Sequence, residues 1–211
     1  VHFNCAFREP LEATIQALPA SYLSLAKELI DRKDPSTRYM SSSTTPGSSE
    51  LQEIAELISE SCHGLLVIGS LNPYEKTQDV LDFIRLLKWP TYFDVSSSLK
   101  YQFNLSDNAL PTFDHPEVQK ALIQNPPEMI FHIGGRLTSK HYYTFLKQVP
   151  SINLMTLSRN IEKEDPSHHT KIRINADINS TLKELNRLLK DKPFIERKMD
   201  VNFSSFAQKK I

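Results

Sequence analysis

With 211 residues, 39% of them hydrophobic, the chain can bury one substantial core, and its 25 basic residues balance 25 acidic ones. That balance argues against a dominant polyanion-binding face, and so against nucleic acid as a partner, while leaving room for a local basic pocket. No apolar run is long enough to cross a bilayer, and no charged-then-apolar leader opens the sequence. Cys5 and Cys62 are too few for a disulfide framework, which predicts a reducing, cytoplasmic setting.

Val1 to Phe7 alternate as a strand does, already in mid-stride at the first residue, which predicts a piece cut from a longer polypeptide. A modest helical stretch follows at Ser21–Leu29, and then the polar run Ser41–Ser49, whose composition reads as linker. Residues 1–48 are therefore predicted to be a connector, with a domain boundary at their end. Ser49 is placed as the N-cap of a helix over Glu50–Ser61, with Leu51, Ile54, Leu57 and Ile58 on one face. The continuous apolar run Leu65–Gly69 suits a strand buried on both faces.

A helix is expected over Glu75–Lys88, a brief strand at Thr91–Asp94, and irregular chain from Ser96 to Thr112. The cycle then repeats: helix Pro116–Gln124, strand Met129–Gly134, helix Ser139–Gln148, strand Ile152–Leu157, strand Lys171–Ile174, helix Asn179–Leu189. Alternating strands and helices predict an α/β fold, a Rossmann-like doubly wound parallel sheet with helices on both faces, over residues 49–191. Residues 192–211 are charged and aperiodic and read as an exit linker.

In such sheets ligands bind beyond the carboxyl ends of the strands. Two loops stand there, Gly69–Pro73 and Gly134–His141. In the second, Gly134 and Gly135 are expected to let the backbone approach a ligand, and Thr138 or Ser139 to cap the next helix. Arg136, Lys140 and His141 offer cationic donors around the same point, suited to a carboxylate or phosphate. An ordinary strand-to-helix turn with solvated cations accounts for the same residues. Neither loop carries Gly-x-Gly-x-x-Gly or a P-loop, so dinucleotide binding is not expected. His115, His168 and His169 lack metal-ligand spacing and read as structural or solvated. No nucleophile elbow or other self-sufficient catalytic constellation is present.

Three segments, in register along essentially the whole chain, carry a resemblance. They are Val1-His2-Phe3-Asn4-Cys5-Ala6-Phe7-Arg8-Glu9-Pro10-Leu11, Ile133-Gly134-Gly135-Arg136-Leu137-Thr138-Ser139-Lys140, and Asp165-Pro166-Ser167-His168-His169. Together they resemble the join after the first domain, the middle-domain turn, and the Asp-Pro-x-His stretch of the menaquinone-pathway 2-succinyl-5-enolpyruvyl-6-hydroxy-3-cyclohexene-1-carboxylate synthases. The resemblance implies a middle domain between a pyrimidine-binding and a diphosphate-binding domain of one polypeptide, assembled as a homodimer or homotetramer. It implies thiamine diphosphate and Mg2+ in the intact enzyme, which decarboxylates 2-oxoglutarate and adds the resulting carbanion to isochorismate.

By the same resemblance Lys140 falls on a lysine that contacts a substrate carboxylate, with Ser139 in the same turn. His141 stands where arginine is usual, which removes a bidentate fork, and Arg136 lies close enough in sequence to compensate. The glutamate that activates the cofactor and the metal-binding segment belong to other parts of such enzymes. This chain alone is therefore expected to bind no cofactor and to be inactive. Two other readings fit the same elements: the FAD- or ADP-binding middle domain of an acetohydroxyacid synthase-like enzyme, and a non-catalytic module that binds an anion or a partner protein. Arg85, Lys88, Lys100 and Arg136 are basic candidates for a regulatory metabolite.

Overall fold

The computed structural model describes residues 2, 4, 6, 17–32, 37, 40, 42–101, 109–110, 112–161, 165–166 and 168–192. The expected opening strand and the exit linker past Lys192 fall mostly outside them. The chain divides into two compact units, Val1–Ser42 and Ser43–Ile211. In the first, α1 (Ala20–Asp31) buries none of its residues. Its Tyr22, Leu25 and Leu29 recur at the three- and four-residue spacing of one helix face, each about half exposed.

The second unit is a six-stranded parallel sheet. Its strands are β1 (Gly64–Ile68), β2 (Thr91–Phe93), β3 (Ala109–Leu110), β4 (Met129–Ile133), β5 (Asn153–Ser158) and β6 (Thr170–Asn175), in the order β3-β2-β1-β4-β5-β6. Parallel neighbours need crossovers, which here include the helices α3 (Thr77–Leu87), α4 (Pro116–Gln124) and α5 (Lys140–Gln148). Two more helices, α2 (Ser48–Glu60) and α6 (Ile178–Leu189), flank this series in sequence.

Side chains alternate across the sheet, so each central strand feeds two cores. Leu66 and Ile68 of β1 with Phe131 and Ile133 of β4 pack under α2, α3 and α6. Leu65, Val67 and Ile130 face α4 and α5. Because β1 and β4 are wholly buried, they read as uninterrupted apolar runs broken only by His132. Each fully buried Leu, Ile or Phe contributes about 1.5–3 kcal/mol over leaving it in water. On the second face Phe113 is the hub, with ring centroids 4.6 Å from Tyr92 and 5.4 Å from Tyr142.

The structure corrects the sequence reading in three places. Helix α2 begins two residues early, at Ser48 with Gly47 as its N-cap, and Ser49 lies inside the first turn, where its hydroxyl donates to Glu50 Oε2 at 3.0 Å. Ala109–Leu110, placed in irregular chain, pairs with Thr91–Tyr92 as an edge strand too short to show a period. Helix α3 starts at Thr77, which leaves Glu75 in the preceding loop. The stretch from Arg159 to His169 joins the parallel strands β5 and β6 with no helix among the described residues. No described helix is long and apolar enough to cross a membrane.

Candidate functional site at the carboxyl edge of the sheet

Strand order reverses between β1 and β4, and the loops leaving those strands ordinarily part there to admit a ligand. Here they are stitched together. The Gly69 amide donates to the Ile133 carbonyl at 2.9 Å, and the Gly135 amide donates to Ser70 at 2.8 Å. Gly134 has φ +94°, and a Cβ on it would stand 2.6 Å from the Ser70 carbonyl oxygen. A Cβ on Gly69 would collide with the Gly135 carbonyl, which also lies 3.0 Å from His132 Nε2. The glycines expected to let the backbone meet a ligand instead let the two loops meet each other.

The turn leading into α5 is held by two carboxylates. Asp94, at the end of β2 and with no exposed surface, accepts from the Thr138 amide at 3.0 Å and from the Thr138 hydroxyl at 3.0 and 3.1 Å. It also accepts from the Ser96 amide at 2.9 Å and hydroxyl at 2.6 Å. Asp114, which precedes the α4 N-cap His115, accepts from the Ser139 hydroxyl at 2.9 Å and lies 3.9 Å from His141 Nε2.

The expected cap is therefore absent. Ser139 occupies the N-cap position of α5 but makes no capping bond with its side chain, because the two hydroxyls of the turn are drawn to Asp114 and Asp94. His141 and Ser139 converge on one acid, whereas Arg136 and Lys140 are exposed. The side chains of Arg136 and Lys140 make no ion pair or hydrogen bond among the described residues. His141, read as a cationic donor, thus faces a carboxylate of its own chain.

Burial pushes the Asp94 carboxyl up, but the hydrogen bonds from Ser96 and Thr138 outweigh it and hold the group below the ordinary value of 3.8. Tyr92, whose hydroxyl lies 3.5 Å from Asp94 Oδ2, is pushed well above the usual phenol range, by burial first and then by the negative charges of Asp94 and Asp114. In the loop after β1, Glu75 is buried and accepts from the Asn72 amide at 2.6 Å. Desolvation there raises its pKa against the pull of Asn72 and Arg159. Asp177 caps α6 by accepting from the Ser180 amide at 2.8 Å and pairs with Arg159 at 3.5 Å.

A second hollow lies over β4, β5 and β6 beneath α5, lined among others by His132, Thr156, Ser158 and Tyr142. Thr156 and Ser158 are only partly buried there, toward the sheet-edge strand β6. The Tyr142 hydroxyl is buried without a hydrogen-bond partner among the described residues. Tyr142→Phe is therefore expected to stabilise the chain by about 1 kcal/mol, because it deletes an unsatisfied group and keeps the ring. Thermal unfolding checks this: a raised Tm is expected, and a lowered one would show that the hydroxyl has a partner in solution.

Sequence reasoning missed Asp94, Asp114 and Glu75. Asp94 was within reach, since an acid directly after a strand of a parallel sheet stands where ligand-facing loops converge. Asp114 was not, because only the fold brings the loop before α4 beside the start of α5.

Residues 21–210 match a family described as the middle domain of thiamine pyrophosphate. Among curated proteins, the 2-succinyl-5-enolpyruvyl-6-hydroxy-3-cyclohexene-1-carboxylate synthase of Syntrophus aciditrophicus is 30% identical over 82% of this chain and 30% of its own length. The protein of the same name from Salinibacter ruber is 24% identical over 92% of this chain and 33% of its own length. The chain thus spans about a third of the length of these relatives. Among solved structures, benzoylformate decarboxylase from Polynucleobacter necessarius superposes with a TM-score of 0.52 at 14% identity, over 80% of this chain and 31% of that one, a likeness of fold. By the match along most of its length, the chain belongs to the family of thiamine pyrophosphate middle domains.

Proposed function

We propose that the chain is the middle domain of a synthase that decarboxylates 2-oxoglutarate and adds the four-carbon unit to isochorismate in menaquinone biosynthesis. Residues 1–48 would act as the connector from a pyrimidine-binding domain, and residues 192–211 as the exit toward a diphosphate-binding domain. The observation that carries this reading is the run of relatives bearing that synthase name, aligned over 81–92% of this chain. We place the enzyme in the cytoplasm as a homodimer or homotetramer.

The residues at the switch point do not fit a diphosphate. The Gly69, Gly135 and Thr138 amides are spent on protein acceptors, and Asp94 and Asp114 add negative charge beside the turn. Thiamine diphosphate and Mg2+ are accordingly assigned to the flanking domains. This chain's part is to present Lys140, exposed at the first residue of α5, to a substrate carboxylate. Arg136 is the second exposed cation of the loop. The pairing of His141 with Asp114 removes it from the carboxylate contact that the family's arginine makes. The same stitched switch point weighs against the FAD- or ADP-binding alternative.

In the full-length enzyme, Lys140→Ala is expected to raise KM for one of the two carboxylate substrates about tenfold, the loss of one charge-assisted hydrogen bond, with unchanged thermal stability. Steady-state kinetics with each substrate varied in turn measures it. Unchanged KM values for both would remove Lys140 from the site. Tight binding of FAD or ADP in a calorimetric titration of the 211-residue chain would overturn the synthase assignment.

A further inference from the structure

Two loops from different strands meet at the start of α5, and the residue joining them is a buried acid that no functional reading of the sequence uses. We propose that Asp94 is the positioning residue of the site: by holding Thr138 through its amide and hydroxyl, it fixes where Lys140 stands. This rests on the reading of Lys140 given above.

The geometry supports it from three sides. Thr138 is two residues before Lys140, and its amide and hydroxyl both end on the Asp94 carboxylate at 3.0–3.1 Å. Asp94 is itself immobilised by Ser96, whose amide and hydroxyl take Oδ1 at 2.9 and 2.6 Å, so it is an anchor rather than a mobile partner. On the far side of the turn Asp114 holds the Ser139 hydroxyl at 2.9 Å. The backbone just ahead of Lys140 is therefore tied to β2 and to the loop before α4, not only to the end of its own strand.

An acid is required because one atom group must accept from the amide and hydroxyl of two residues at once, and only an ionised carboxylate offers enough lone pairs in that space. The side chain of Lys140 is long and exposed, and an unanchored turn would let its root wander. Misplacing a binding group by about an ångström costs up to about a hundredfold in rate or binding.

The test uses the full-length enzyme and the variants Asp94→Asn, Thr138→Val, Thr138→Ser and Lys140→Ala, with the double variant Asp94→Asn/Lys140→Ala. Asparagine keeps one carbonyl acceptor in the same volume, so the fold is expected to survive. Asp94→Asn is expected to raise KM for the Lys140-dependent substrate about tenfold with kcat changed less than about twofold. Thr138→Val moves the same KM in the same direction, and Thr138→Ser restores it. The double variant is expected to be no worse than Lys140→Ala, since both changes remove one contact.

A KM unchanged in Asp94→Asn, with Lys140→Ala impaired, overturns the positioning role and leaves the Lys140 reading intact. So does a double variant whose losses multiply. No effect from Lys140→Ala overturns both.

Discussion

Gly69→Ala is expected to destabilise the Ser43–Ile211 unit by about 3 kcal/mol, at the upper end of what an added methyl group costs in a packed interior. The methyl would be driven into the Gly135 carbonyl oxygen, a backbone atom that cannot rotate away. That carbonyl is held in turn. Its own residue donates to Ser70 at 2.8 Å, and His132 Nε2 lies 3.0 Å from it. Relief therefore requires the two switch-point loops to separate, with loss of the hydrogen bonds that join them. Gly47→Ala is the matched control, because its methyl would meet only the end of the Glu50 side chain, which can swing aside. Urea unfolding of the two variants beside the parent gives the comparison. A large loss at Gly69 with no more than about 1 kcal/mol at Gly47, where alanine is the poorer N-cap for α2, is the expected pattern. Equal small losses would mean that the loops are not locked together in solution.

The same locked loops show what the sequence made legible and what it did not. The sheet was readable because Leu65–Ile68 is an unbroken apolar run and Met129–Ile133 is one broken only by His132, separated by helices with clear apolar faces, and burial on both sides of a parallel sheet leaves that mark on such strands. Ala109–Leu110 was invisible because two residues have no period. At the site, Lys140 and His141 could be picked out as cations in a turn at the carboxyl edge. Their surroundings could not. The distance of 3.9 Å between His141 and Asp114 joins residues from different loops, and the bonds from Thr138 to Asp94 cross from β4's loop to β2's end. Local rules assigned the Thr138 and Ser139 hydroxyls to helix capping. Tertiary partners won because the hydroxyls donate to two carboxylates placed beside the turn, strong charged acceptors, and in that orientation the Ser139 oxygen does not accept from the first helix amides as a cap would.

Asp94→Ala is expected to cost about 3 kcal/mol at neutral pH, since it strips the Ser96 and Thr138 amides of the buried carboxylate they donate to, at about 1–3 kcal/mol for each donor left unsatisfied. The pH dependence separates this from a loss of packing. The folded-state pKa of Asp94 lies below its ordinary value of 3.8, so the charged form is the one the fold prefers. Such a group adds stability that is complete above the unfolded pKa and lost as pH falls through the folded one. The gap between parent and variant is therefore expected to be widest at neutral pH, constant down to about 4, and to narrow below that as the parent's carboxylate takes up a proton. Urea midpoints measured from pH 7 down to pH 3 test it. A gap that stays the same width into the acid range would mean that the side chain matters for its volume and not its charge. Thr138 would then be held by shape, and a neutral residue of equal size would serve the turn as well. A gap that closes ties the stability of the sheet edge to the same carboxylate that sets the start of α5, so that the fold could not lose this acid without also loosening the turn that carries Lys140.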